Sequence, residues 1–141
     1  MELSIYKDFS DAPGLRYCNL SEKSGEEFYH SLLNPRFAEA LGINEQLVLI
    51  LDYTEGYAPS FLDESIGNLV YDFSLETVEK YLTIVSNEEP FWIERIKTFC
   101  MKWEERRLKQ DCPKVTIEHD AWVRIIKGEK EIRVWEHPAV A

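Results

Sequence analysis

Five consecutive apolar residues, Leu47-Val48-Leu49-Ile50-Leu51, place the strongest constraint on how this chain folds. The run is too short to span a membrane and too continuous for a strand with one wet face. It predicts a strand covered on both faces, as in a sheet with helices on each side. Asp52 ends the run, and Thr54-Glu55-Gly56 supplies turn chemistry. Pro59 fixes φ just outside the next element and pushes Ala58 toward extended geometry. Ser60 then reads as an N-cap, with Asp63 three positions on as a shorter-armed capping-box partner. Leu62, Ile66, Leu69, Val70 and Phe73 recur at helical spacing as one apolar stripe. Asp63, Glu64, Asn68 and Asp72 are expected to face away from it. Gly67 sits inside this helix, where it costs about 1 kcal/mol relative to alanine. Close approach of another element would compensate for it.

The rest of the chain alternates in the same manner. Leu3 to Tyr6 and Leu15 to Cys18, separated by the Pro13-Gly14 turn, predict two paired strands. Ser24 and Glu27 have capping-box spacing, so a helix starts at Gly25. Asn34-Pro35 predicts an interruption, with a restart capped by Asn34 and a stop at Gly42. A short helix over residues 74–80 precedes a second β-rich run, Tyr81 to Val85. Ser86 or Asn87 is expected to cap a long helix with Trp92, Ile96, Phe99 and Trp103 inward and basic residues near its end. Alternation from Val115 to Ile125, a turn at Lys127-Gly128 and a second run through Trp135 predict a β-hairpin.

Leu51-Asp52 and Ser60-Phe61-Leu62-Asp63-Glu64-Ser65-Ile66-Gly67 resemble the signature of the STAS-like domains, related in pattern to STAS domains of anti-sigma factor antagonists. Ser24-Gly25-Glu26 resembles the start of that family's first helix, and the likeness spans roughly residues 16 to 100. It implies an α/β fold: a STAS-like mixed sheet with helices packed on it, here with a C-terminal β-hairpin extension. Residues 1–111 would form the domain, and residues 112–141 the hairpin extension of the same domain. The resemblance implies a regulatory protein-binding module whose partner is a histidine-kinase-like ATPase or an anti-sigma-like factor. It also offers Ser60 as a phosphorylated residue, although the sequence reads Ala58-Pro59-Ser60-Phe61 where the antagonists carry Asp-Ser-Ser-Gly.

Charge narrows the classes further. With 16 basic against 26 acidic residues the formal net charge is −10, which repels nucleic-acid phosphates and anionic membranes. A basic protein partner fits better. Cys18, Cys100 and Cys112 are an odd number without close pairing, as expected of reduced thiols in a cytoplasmic protein. The first residues lack the basic-then-apolar pattern of a secretory signal.

Chemistry-bearing groups are sparse. Asp63 and Glu64 diverge by about 100° on a helix and make no facing acid–base pair. His30, His119 and His137 are scattered with no ligand spacing, so neither a metal nor a cofactor site is expected. No constellation supports an enzyme. The expected contact surface is Tyr57, Ser60, Phe61, Asp63 and Glu64, at the entrance of the helix after the central strand. Two other readings stay open: a small-ligand or nucleotide site at Asp52 and the strand ends, and a structural or defence-system component that dimerises through its hairpin.

Overall fold

The computed structural model of the protein describes residues 1–136. The order is β1 (Glu2–Ser4), α1 (Ile5–Asp8), α2 (Gly25–Phe28), a π-helical turn (Tyr29–Leu33), α3 (Asn34–Gly42), β2 (Leu47–Ile50) and α4 (Pro59–Phe73). Then come α5 (Leu75–Tyr81), β3 (Leu82–Val85), α6 (Phe91–Leu108), β4 (Trp122–Ile126) and β5 (Glu129–Arg133). The α/β class is as the sequence implies. Among the described residues its strands divide into a parallel sheet of order β1-β2-β3 and a separate antiparallel hairpin, β4-β5, in place of one mixed sheet. In β2, Leu47 and Leu49 are fully buried while Val48 and Ile50 are half-buried, so the two faces are covered unequally. The last residues of the expected extension, including His137, lie outside the described residues.

The first turn of α2 shows why Leu15 to Cys18 is a loop and not a strand. The four N–H groups that open a helix need outside acceptors. Gly25 N–H goes to the Leu15 carbonyl at 2.8 Å and Glu26 N–H to that of Arg16 at 2.9 Å. The buried Ser24 hydroxyl accepts from Glu27 N–H at 3.1 Å, and the Ser24 carbonyl accepts from Phe28 N–H at 3.0 Å. The loop is held as a cap for the helix.

Pro35 does not break the chain into two helices. Asn34 is itself helical (φ −60°, ψ −55°), and its N–H bonds to the Tyr29 carbonyl, five residues back. Proline has no N–H and its ring crowds the carbonyl a turn earlier; the helix widens by one residue there and continues to Gly42. Asn44 then takes a left-handed φ of 56°. Likewise Ser60 is not the cap of α4: Pro59 starts that helix with its preset φ, Ala58 occupies the cap position, and no side chain caps it. Ser86 and Asn87 do not cap α6 either, which begins at Phe91 behind Pro90.

Helix α4 is the centre of the molecule. It packs against α2, the π turn, α5, α6 and β4. Being covered on several sides, it buries Glu64, Asn68 and Asp72 as well as its apolar stripe, so three of the four polar residues expected to face solvent are inside. The indole of Trp103 from α6 lies against Gly67 with no room for a Cβ between them, the close approach that glycine predicts.

Candidate functional site

The corner where β2 hands over to α4 is locked by the chain itself. Phe61 is fully buried, ring to ring with Phe28 at 5.7 Å and Phe9 at 6.1 Å. A Cβ at Gly25 would meet the Phe61 carbonyl oxygen at 2.6 Å, so α2 and α4 cross closely because residue 25 is glycine. Arg16 Nη1 donates to Asp63 Oδ2 at 2.6 Å and to Glu64 Oε1 at 3.2 Å. Trp103 Nε1 donates to Asp63 Oδ1 at 3.0 Å, and Asn68 Nδ2 to Glu64 Oε2 at 2.7 Å. Burial raises the pKa of Glu64 despite these donors. Tyr57, half-buried, donates its hydroxyl to the Leu51 carbonyl at 2.5 Å. Ser60 is half-buried at the second position of the helix.

The expectation that these five residues form one open contact surface therefore needs correction. Phe61 and Glu64 present no accessible side chain, and Asp63 spends both carboxylate oxygens on Arg16 and Trp103. The physical reason is Arg16, whose loop crosses the helix entrance and neutralises it. Replacing Arg16 with alanine should cost about 1–2 kcal/mol in urea unfolding, since it strands a buried carboxylate but a partly exposed partner. An unchanged midpoint would show that the bridge holds nothing.

Asp52 braces the loop, as its position suggests: it is buried and accepts from Glu88 N–H at 2.8 Å. Glu88 Oε1 in turn accepts from Tyr53 N–H at 2.6 Å, tying the ends of β2 and β3 together. Tyr53 emerges with φ of +79° and 64% exposure, edge-on to the exposed Tyr6 at 6.2 Å.

A second cluster joins residues the sequence keeps far apart. Glu26, at 1% exposure, points from α2 into the segment leading to β4. Its Oε2 accepts from His119 Nε2 at 2.7 Å and Thr116 N–H at 3.1 Å. Its Oε1 accepts from the Thr116 hydroxyl at 2.6 Å and Cys18 N–H at 3.1 Å. Burial alone would raise Glu26, but the His119, Thr116 and Cys18 donors outweigh it and hold the group at about 2. These bonds also explain why residues 115–121 form no strand: Glu26 takes the Thr116 amide in place of a neighbouring strand.

Cys18 Sγ lies 3.9 Å from His119 Nε2 and 3.7 Å from Glu27 Oε2, and it accepts from the Ser24 hydroxyl at 3.4 Å. Burial, with the nearby carboxylates of Glu26 and Glu27, pushes the thiol up to about 12, the reverse of an activated nucleophile. His30 stacks on His119 at 4.2 Å and meets Trp122 edge-on at 4.5 Å. Burial and the neighbouring His119 lower His30 to about 3, and its Nδ1 is buried with no hydrogen-bond partner. Among the described residues the scattered histidines and cysteines thus supply one grouping after all: Cys18, Glu26 and His119 bring their donor atoms within 4.8 Å of one another. No signal of local spacing could have revealed it, because His119 is 101 residues from Cys18.

Among the described residues no helix is long and apolar enough to cross a membrane. No curated protein and no solved structure matches the chain. A family model does match, over residues 24–92, a span that holds both the Ser24-Gly25-Glu26 start of α2 and the Phe61-Leu62-Asp63-Glu64 start of α4. Those two stretches meet at the α2–α4 crossing, so the residues carrying the likeness are the ones that set the fold's central joint. Over residues 24–92 the chain matches the family described as STAS-like domain of unknown function (DUF4325).

Proposed function

We propose that this domain is a regulatory protein-binding module of the cytoplasm and not an enzyme. By its likeness to anti-sigma factor antagonists, its partner is a histidine-kinase-like ATPase or a similar signalling protein. The observation carrying this reading is Tyr53. A bulky residue at positive φ costs on the order of 1–3 kcal/mol and persists only where its surroundings enforce it. Here Asp52 and Glu88 enforce it, and the result is an aromatic ring held out in solvent beside Tyr6. Tyrosines of this kind anchor protein interfaces. The contact surface moves accordingly, from the locked entrance of α4 to the carboxyl ends of β1 and β2. The net charge of −10 and the exposed Glu55 and Glu88 alongside favour a partner with a basic face.

Two variants test this against a partner recovered with the tagged chain from its own cytoplasm. Tyr6→Ala with Tyr53→Ala should weaken binding by about 100-fold, as for two interface anchors of roughly 1.4 kcal/mol each. Tyr53→Gly should also weaken binding, yet leave the fold as stable or about 1 kcal/mol more so, because glycine accepts the backbone angle without strain. Undiminished affinity in the double variant would overturn the proposal.

A further inference from the structure

We infer that Cys18, Glu26 and His119 form a site for a divalent metal ion of the zinc class, one that fastens the segment before β4 to the start of α2. Thiolate, imidazole and carboxylate together are a donor set suited to Zn2+, and three protein ligands leave a fourth position for water. Bonds of about 2.0–2.3 Å in a tetrahedron set ligand atoms roughly 3.3–3.6 Å apart. The donors bracket that spacing, with 2.7 Å between Glu26 Oε2 and His119 Nε2 and 3.9 Å between His119 Nε2 and Cys18 Sγ. Small side-chain shifts suffice for an ion to replace the protons that now lie among them. The thiol proton leaves to solvent, and the imidazole proton moves from Nε2 to Nδ1. Glu27 Oε2 lies 3.8 Å from that Nδ1, which makes the carboxylate–histidine–metal arrangement found around bound zinc.

The surroundings are already built. Cys18 N–H, Thr116 N–H and the Thr116 hydroxyl orient the Glu26 carboxylate, and the Ser24 hydroxyl points at the Cys18 sulfur. The His119 ring is fixed by a parallel stack on His30, inclined by 10°. Half-buried Cys18 and the partly exposed Glu27 leave an approach from solvent. The ligands come from a loop, a helix start and a segment about ninety residues later in sequence, 93 positions beyond Glu26. An ion here ties distant parts of the chain and couples its binding to their docking.

The test uses the untagged full chain. Purified without chelator, it should hold about one zinc per chain by elemental mass spectrometry. Stripped and titrated with Co2+, it should develop a thiolate-to-cobalt charge-transfer band and the strong visible bands of a four-coordinate site. Cys18→Ser should abolish the charge-transfer band and weaken binding by more than about 100-fold, whereas Thr116→Val should keep the band and weaken binding about 10-fold. Cys112→Ser, which alters an exposed thiol outside the cluster, should leave both unchanged. Zn2+ should raise the thermal midpoint of the stripped wild type. If Cys18→Ser does not fold, Thr116→Val and the wild-type spectrum still decide the matter. Absence of metal and of the charge-transfer band in the wild type, or a band that survives in folded Cys18→Ser, would overturn the inference.

Discussion

Substituting Gly67 with alanine should destabilise the protein by about 2 kcal/mol, and with valine by about 3, even though alanine is the better helix former. In an open helix the glycine-to-alanine change gains about 1 kcal/mol. Here the new Cβ would overlap the Cε2, Nε1 and Cδ1 atoms of the Trp103 indole. The ring has nowhere to go. It is 3% exposed, its Nε1 is committed to Asp63 at 3.0 Å, and the Arg106 guanidinium covers it at 4.5 Å. Moving α6 away opens the α4–α6 contact; moving the ring breaks the Asp63 bond. Overpacking of this kind costs about 1–3 kcal/mol, more when backbone must shift. Gly42 is the control, since a Cβ there meets nothing within 4 Å and its φ is not positive, so Gly42→Ala should be neutral or mildly stabilising. Urea midpoints at constant m would show the opposite signs. A Gly67→Ala protein as stable as wild type would mean the two helices are not clamped.

That glycine was legible because a local rule was broken inside an otherwise regular pattern, and a broken rule points to a neighbour. The same holds for Ser24, whose capping spacing with Glu27 is realised, and for Lys127-Gly128, whose φ values of 53° and 78° make the tight turn of the hairpin. Strand β2 was legible from its unbroken apolar run and β3 from a β-rich one, whereas the first strand was expected to pair with Leu15 to Cys18 and instead lies parallel to β2. Glu64, Asn68 and Asp72 were not legible, because helical periodicity assumes a helix with one wet face. α4 has neighbours on several sides; Glu64 and Asp72 are satisfied by Arg16, Tyr29 and Arg133, partners far away in sequence, and Asn68 bonds back to Glu64. The candidate site failed for the same reason in both directions. Asp63 and Glu64 look exposed until Arg16 reaches them, and Cys18 and His119 look isolated until the chain folds.

Asp72→Ala should cost about 3 kcal/mol and release the β4–β5 hairpin first. A two-stranded hairpin has little stability of its own, and most of β5 is exposed. Among the described residues, Asn34 and Asp72 are its main polar anchors to the domain, beside a bond from Arg124 Nε to the Tyr71 carbonyl at 3.3 Å. Asn34 exchanges both its amide groups with the Val123 backbone, at 2.9 and 3.1 Å. Asp72 accepts from Tyr29 Oη at 2.5 Å and from Arg133 Nη1 at 3.1 Å, with Arg124 Nε at 3.7 Å. Removing the carboxylate leaves a buried phenol and two arginines without their counterion, and breaking such a pair from one side costs about 3–5 kcal/mol. The lower figure applies because both arginines keep a partly exposed side chain, at 19% and 23%. Hydrogen exchange should therefore quicken in β4 and β5 well before it does in β1 to β3. The same carboxylate sets a pH dependence. Burial raises Asp72 from 3.8 to about 6 against the lowering effect of Tyr29 and the arginines. The folded state thus holds this proton more tightly than the unfolded one, and its contribution to stability is fullest below about pH 4 and declines as pH rises to about 6. Groups common to both proteins cancel in a comparison with Asp72→Asn, so the stability of wild type relative to that variant should fall between pH 4 and 6 and then level off. A difference that stays flat across that interval, or a hairpin as protected in Asp72→Ala as in wild type, would show that the extension is docked by something other than this buried charge.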